Sequence, residues 1–274
     1  MTNSKLRIQN LELRTQNSKL KLRTQNSKLK TMKTFALVGR NISYSFSRRY
    51  FAEKFAQEQI TDCEYINFDI PQIEDLPSLI HTTPTLVGMN VTIPYKEAVL
   101  PLLDWQSEAL VAIKACNTIK ILPSGELKGY NTDYIGFRDS LVPHLKPHHN
   151  RALVLGTGGA SKAVAFTLSM LGIPYQLVSR EATPEAISYQ ELTREVIENH
   201  PLIVNTTPLG TSPHTEAFPA IPYQWITSRH LLYDLIYNPE KTTFLAKGEA
   251  QGAAIINGYS MLVLQAEAAW EIWK

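Results

Sequence analysis

At 274 residues with 44% apolar side chains, the chain is long enough for one large or two medium domains with real cores. Its formal charge of +2 is unevenly spread: residues 1–33 carry nine Lys or Arg against the single acid Glu12, leaving 18 basic and 24 acidic residues for the remainder. A mildly acidic body argues against nucleic acid as a partner. Cys63 and Cys116 show neither CxxC nor Cys/His spacing, which predicts no disulfide framework and no metal site. The absence of an 18-residue apolar run predicts no membrane span and a cytoplasmic protein.

Residues 1–31 hold LRTQNSKLK twice, at Leu13–Lys21 and Leu22–Lys30, with a looser copy before them. So polar a repeat cannot bury enough surface to offset its ordering entropy and is expected to be disordered. Met32 stands just before the first core-like strand, so the expectation is that native translation starts there and the tail is not native. An organellar transit peptide or a solvated basic tail are the alternatives.

From Thr34 onward, apolar strands alternate with amphipathic segments. TFALVG reads as a strand, SRRYFAEKFAQE as a helix, EYINFDI as a strand, IEDLPSLIHTT as a short helix and TLVGMNVTI as a third strand that Pro94 closes. The residues after Pro94 have helical spacing, which places Lys96 at a helix start. KACNTIKIL and ELKGYN, joined by the turn Pro123–Gly125, read as a hairpin added to that sheet. TDYIGFRDSLVPHL is an amphipathic helix, and His144, His148 and His149 in the link after it read as solvated surface.

A second alternating block begins at RALVLG. Gly156, Gly158 and Gly159 separate that strand from the helix KAVAFTLSMLG, a turn whose free amides can take a pyrophosphate. The next strand ends at Ser179 and Arg180, where an arginine suits a 2′-phosphate and so argues for NADP, although Glu181 follows it. PLIVNTTPLG and HLLYDLIYNP also end in polar residues, among them Asn205, Tyr233, Asp234 and Tyr237, as a crevice at strand ends requires. Asp234 could instead brace a loop. Read from residue type alone, Lys96 is a solvated lysine and Asp133 an acid at a helix N-terminus.

The motifs VGRNISYSFS, GMNVTIPYKEAV, ACNTI, GYNTDYIGF, LGTGGASKA, VSR, NTTPLG, YDLIYNP and NGYSMLVLQAE occur in one order from Met32 to the end. In that series the chain resembles the shikimate dehydrogenase family, NADP-linked enzymes that interconvert 3-dehydroshikimate and shikimate. The resemblance implies a two-domain α/β fold. A mixed α/β substrate domain would span residues 32–132 plus 253–274, and a Rossmann-like doubly wound NADP domain residues 133–252, with the C-terminal helix returning to the first domain. It makes Lys96 and Asp133 the catalytic pair. Ser45, Ser47 and Tyr237 would take the substrate carboxylate, and Asn90, Thr92, Asn117 and Gln265 the ring hydroxyls. Gly156, Gly158, Gly159, Ala160, Ser179, Arg180, Asn205, Thr206 and Gly258 would bind NADP.

The serines have a second reading, as N-caps of SRRYFAEKF. The sequence departs from the family at Asn41, Tyr44, Arg48 and Glu181, so the path of the first loop and the strictness of NADP over NAD stay open. The alternatives are a quinate/shikimate dehydrogenase using NAD(P) and a non-catalytic NADP-binding sensor. Expected partners are a small-molecule substrate, with no nucleic acid and no membrane, in a monomer or homodimer.

Overall fold

The computed structural model describes residues 32–43 and 45–274; the repeat tail and Tyr44 lie outside the described residues. The described residues divide into two compact units, one ending at Met89 and one running from Asn90 to Lys274, taken in turn.

In the first unit, β1 (Lys33–Gly39) is an apolar run buried from its second residue on, as a strand covered on both faces must be. It is followed by α1 (Phe46–Gln57) and pairs in parallel with β2 (Cys63–Asp69). α1 packs Phe51 and Phe55 inward, and Phe51 stacks on Tyr65 of β2 with ring centroids 4.6 Å apart. Ser45 caps α1, its hydroxyl accepting from the Arg48 N–H at 3.3 Å. The cap is therefore Ser45 and not Ser47, because the helix starts one residue earlier than its apolar spacing suggested. α2 (Leu76–Thr82) then leads to β3 (Leu86–Val91), whose last two residues lie in the second unit.

The second unit opens on a departure from expectation. β3 stops at Val91, and the residues after the cis Ile93–Pro94 bond form successive turns rather than an α-helix. The Tyr95 N–H donates to the Thr92 carbonyl at 2.9 Å and the Cys116 N–H to the Lys96 carbonyl at 2.7 Å, so long-range backbone bonding wins over local helical spacing. β4 (Trp105–Gln106), α3 (Glu108–Ile113), β5 (Thr118–Ile121) and β6 (Leu127–Tyr130) follow. β5 and β6 form the expected antiparallel hairpin, and the strand order is β3-β5-β6-β4.

α4 (Asp133–Leu141) leads into β7 (Ala152–Leu155), α5 (Gly159–Met170), β8 (Tyr175–Ser179), β9 (Ala186–Ser188), α6 (Arg194–Glu198), β10 (Leu202–Asn205), β11 (Leu231–Asp234), α7 (Thr243–Glu249), β12 (Ala254–Ile256) and α8 (Tyr259–Trp273). The six strands form a parallel sheet in the order β12-β11-β10-β7-β8-β9, a doubly wound arrangement. Side chains alternate across it. Val154, Val204 and Tyr233 join Phe137 and Val164 in one core, while Leu153, Leu155, Ile203 and Leu232 join Phe244 and Leu245 in the other.

α8 is not a free terminal helix. It packs on α4 so closely that a methyl group on Gly136 would lie 2.5 Å from the Met261 carbonyl oxygen. The Trp273 indole N–H donates to the Ile119 carbonyl of β5 at 2.9 Å. Two further expectations fail in this unit. His149 is 4% exposed, its Nδ1 accepting from the Lys146 N–H at 3.1 Å and its ring also bonded to the Arg229 backbone, which is distant in sequence. Tyr233 points into the core, where its hydroxyl meets that of Ser140 at 2.6 Å.

Candidate active site

Lys96 and Asp133 come from distant elements yet form a 2.6 Å ion pair between Nζ and Oδ2, with side chains 17% and 10% exposed. Asp133 is the first residue of α4, where the helix dipole favours a carboxylate. Lys96 is fixed through its own carbonyl, bonded to Cys116, and its stem lies against the start of α5. A methyl on Gly159 would sit 3.9 Å from Lys96 Cβ and Cδ.

The other carboxylate oxygen is held by Asn117, whose side-chain amide donates to Asp133 Oδ1 at 2.9 Å and to the Thr132 hydroxyl at 3.0 Å. Asn117 Oδ1 in turn accepts from the Thr132 N–H at 2.6 Å. Gln265 reaches the same cluster from α8, with Oε1 3.4 Å from the Asn117 amide, while its own amide donates to the Leu262 carbonyl at 2.9 Å. Asn90 donates to the Asn117 carbonyl at 3.2 Å. A buried polar network with its members mutually bonded fixes one geometry, since any unmade bond carries a desolvation cost.

Thr118 and Thr132, both fully buried, belong to this network and were missed at the sequence level. Their only signal was that ACNTI and GYNTDY each place a threonine directly after an asparagine. Cys116, one residue before Asn117, is no nucleophile: burial pushes its thiol up to about 12.

Among the other candidates, Thr92 is half-buried in the turn after β3, and Tyr237 is half-buried in the segment after β11. Ser45 and Ser47 lie in the first unit, where Ser47 bonds to the Tyr65 hydroxyl.

A cavity of about 790 Å³, a size typical of ligand pockets, surrounds the glycine turn. Gly156, Thr157, Gly158, Ser179, Arg180 and Thr206 are among its lining residues. The turn fits a dinucleotide. Gly156 has φ +108°, and a Cβ there would lie 2.8 Å from the Thr206 hydroxyl, so only glycine is accommodated. At Gly158 a Cβ would meet nothing within 4 Å, which leaves the backbone open to a close-lying ligand. α5 begins there with no side-chain cap and no acid in its first turn, so its leading amides are available to an anion.

Ala160 follows in that first turn. Arg180 and Glu181 are exposed at the cavity wall, and the Ser179 hydroxyl donates to the Glu181 carbonyl. Two candidates serve packing. Asn205 is fully buried, donating to Asp234 Oδ1 at 3.0 Å, and a Cβ on Gly258 would lie 2.0 Å from the Leu235 carbonyl oxygen. Asp234 is thus a brace: it also accepts from the Thr242 hydroxyl at 2.6 Å, and burial pushes its carboxyl up to about 6. Among the described residues, no cluster of His, Cys, Asp and Glu could hold a metal ion, and no helix is long and apolar enough to cross a membrane.

Known proteins similar to this chain identify its family. A family model described as the shikimate dehydrogenase substrate binding domain matches residues 37–119. The shikimate dehydrogenase (NADP(+)) of Caldicellulosiruptor saccharolyticus is 34% identical over 260 residues, spanning 88% of this chain and 92% of that protein. Among solved structures, the shikimate 5-dehydrogenase of Thermus thermophilus in complex with NADP(H) and shikimate is similar with a TM-score of 0.78 and 32% identity, over 89% of this chain and 94% of that one. The quinate dehydrogenase of Corynebacterium glutamicum in complex with NAD is similar with a TM-score of 0.78 and 26% identity, over the same shares of 89% and 94%. With a third of its residues identical across nearly its full length, and with a matching fold, the chain belongs to the shikimate dehydrogenase family.

Proposed function

We propose that this chain catalyses the reversible NADP-linked reduction of 3-dehydroshikimate to shikimate, with Lys96 and Asp133 as its catalytic pair. The observation that carries the reading is the 2.6 Å Lys96–Asp133 contact, locked by Asn117 and leaning on the first residue of the cofactor helix α5. NADPH, when bound, supplies a hydride from its nicotinamide ring to the substrate carbonyl carbon.

The chain's own task is then the proton. Lys96 Nζ donates to the oxygen that gains charge during reduction and takes the proton back in the oxidation direction. Asp133, accepting from both Lys96 and Asn117, keeps the ammonium aimed and offsets its charge. Asn90, Thr92, Asn117 and Gln265 bind the ring hydroxyls; Ser45, Ser47 and Tyr237 bind the carboxylate. Gly156, Gly158, Gly159 and Ala160 hold the pyrophosphate against the α5 amides, Ser179 and Arg180 face the adenosine ribose, and Thr206 lines the floor, while Asn205 and Gly258 contribute through packing alone. In this reading residues 32–132 with 253–274 serve the substrate and 133–252 the cofactor.

The test is absorbance at the nicotinamide band with shikimate or quinate and NADP or NAD. Shikimate-dependent reduction of NADP is expected. NADP binding without turnover on any substrate would overturn the reading in favour of a non-catalytic sensor. One observation favours a second reading, some use of NAD: Glu181 places a carboxylate in the cavity wall beside Arg180.

A further inference from the structure

The charged side chains that line the cofactor cavity are Arg180 and Glu181, which together carry no net charge. That is a poor match for a phosphate dianion. A second cavity, of about 710 Å³, shares the lining residues Thr157, Ser179 and Thr183 with the first, so the two adjoin beyond the ends of β7 and β8. Its charged lining residues are Lys114, Lys162 and Glu185.

Lys162 is already engaged, with Nζ 2.7 Å from Glu97 Oε2. Lys114 has no carboxylate partner among the described residues. It ends α3 in the left-handed conformation at φ 58° and ψ 33°, with its N–H bonded to the Leu110 carbonyl at 2.7 Å. A non-glycine residue there is held at an energetic cost, and such residues concentrate at ligand-binding positions. Lys114 is exposed, so its four-carbon stem is free to turn into the shared lining.

We propose that Lys114 supplies the second positive charge for the 2′-phosphate of NADP, acting from the end of α3 beside Ser179 and Thr183 and compensating for Glu181. The inference rests on the reading of the glycine-turn cavity as an NADP site. It assigns the choice of NADP over NAD to two cations on different elements, Arg180 after β8 and Lys114 after α3, opposed by the carboxylates of Glu181 and Glu185. A phosphate held between two cations from separate elements is also sensitive to salt.

The test uses the full chain and two probes that differ only by the 2′-phosphate, adenosine 2′,5′-bisphosphate and AMP, titrated by calorimetry. Lys114→Met is expected to weaken the bisphosphate roughly tenfold, leave AMP unchanged and flatten the salt dependence, whereas Lys114→Arg retains binding. Arg180→Ala should also lower the bisphosphate-to-AMP preference. If Arg180→Ala lowers that preference and Lys114→Met leaves it unchanged, Lys114 is not a phosphate partner and the inference falls alone. If wild type shows no preference for the bisphosphate, or neither variant alters it, the NADP reading of the cavity falls, and the inference with it.

Discussion

Two corners of the second unit use the same pair of side chains for different ends. At the start of α4, Asn117 holds one oxygen of Asp133 while Lys96 takes the other; at the end of β11, Asn205 holds one oxygen of Asp234 while the Thr242 hydroxyl takes the other. One Asp–Asn pair is completed by a cation and remains partly accessible, at 10% for the Asp133 side chain. The other is completed by neutral donors alone and fully buried. An aspartate at a strand end is available to a bound molecule where a charged partner and access come together. Where both are missing it is a brace, and burial drives it toward the protonated form.

The comparison breaks most visibly if Asp133 is disabled. Asp133→Ala removes the acceptor of Lys96 and of Asn117, and kcat should fall by roughly 10²–10³, with secondary structure retained in circular dichroism. Asp234→Ala should leave the Michaelis constants for substrate and cofactor intact while lowering the melting temperature.

Next in size is Gly258→Ala. Its Cβ would lie 2.0 Å from the Leu235 carbonyl oxygen, which is backbone and cannot swing away, so denaturant unfolding should report a loss on the order of 3 kcal/mol. Gly158→Ala, where a Cβ meets no atom within 4 Å, should leave stability nearly unchanged and weaken cofactor binding instead.

A comparable but pH-dependent effect belongs to Asp234. Its folded-state carboxyl is raised from 3.8 to about 6, so the stability linked to its protonation is full below pH 3.8 and lost as the pH rises through about 6. The loss over that window is about 3 kcal/mol. Asp234→Asn keeps the bonds from Asn205 and Ile236, turns the Thr242 hydroxyl into an acceptor, and should remove this slope in unfolding curves taken between pH 4 and 7.

The smallest effect is expected from His149 and His200, both shifted down by burial. A base with a depressed folded pKa contributes stability above its unfolded value of about 6.5 that is lost as the pH falls through the folded one. His149→Gln should therefore lessen acid destabilisation below pH 6, a change opposite in sign to that of Asp234→Asn.

Much of this was legible in the sequence because it is local. Continuous apolar runs such as ALVL and LIVN give buried parallel strands, Pro123–Gly125 gives the β5–β6 turn, and glycines after β7 give the turn before α5. The failures lie where distant backbone decides. Helical spacing after Pro94 lost to the bond between Cys116 and Lys96, and His149 looked solvated because the segment that buries it, near Arg229, is some eighty residues away. The site candidates came from motif order. Residue types alone could not distinguish Asp133 from Asp234, because only the fold brings Lys96 to one and Thr242 to the other.

In the proposed mechanism Lys96 acts on the reacting oxygen and is not merely a surface lysine paired with an acid. Its most direct test is NADP reduction by shikimate in Lys96→Ala beside wild type, with shikimate binding measured separately by calorimetry. If Lys96 acts in this way, kcat falls by roughly 10²–10⁴ while shikimate binding changes by less than about tenfold. Turnover within a few-fold of wild type in Lys96→Ala would contradict it.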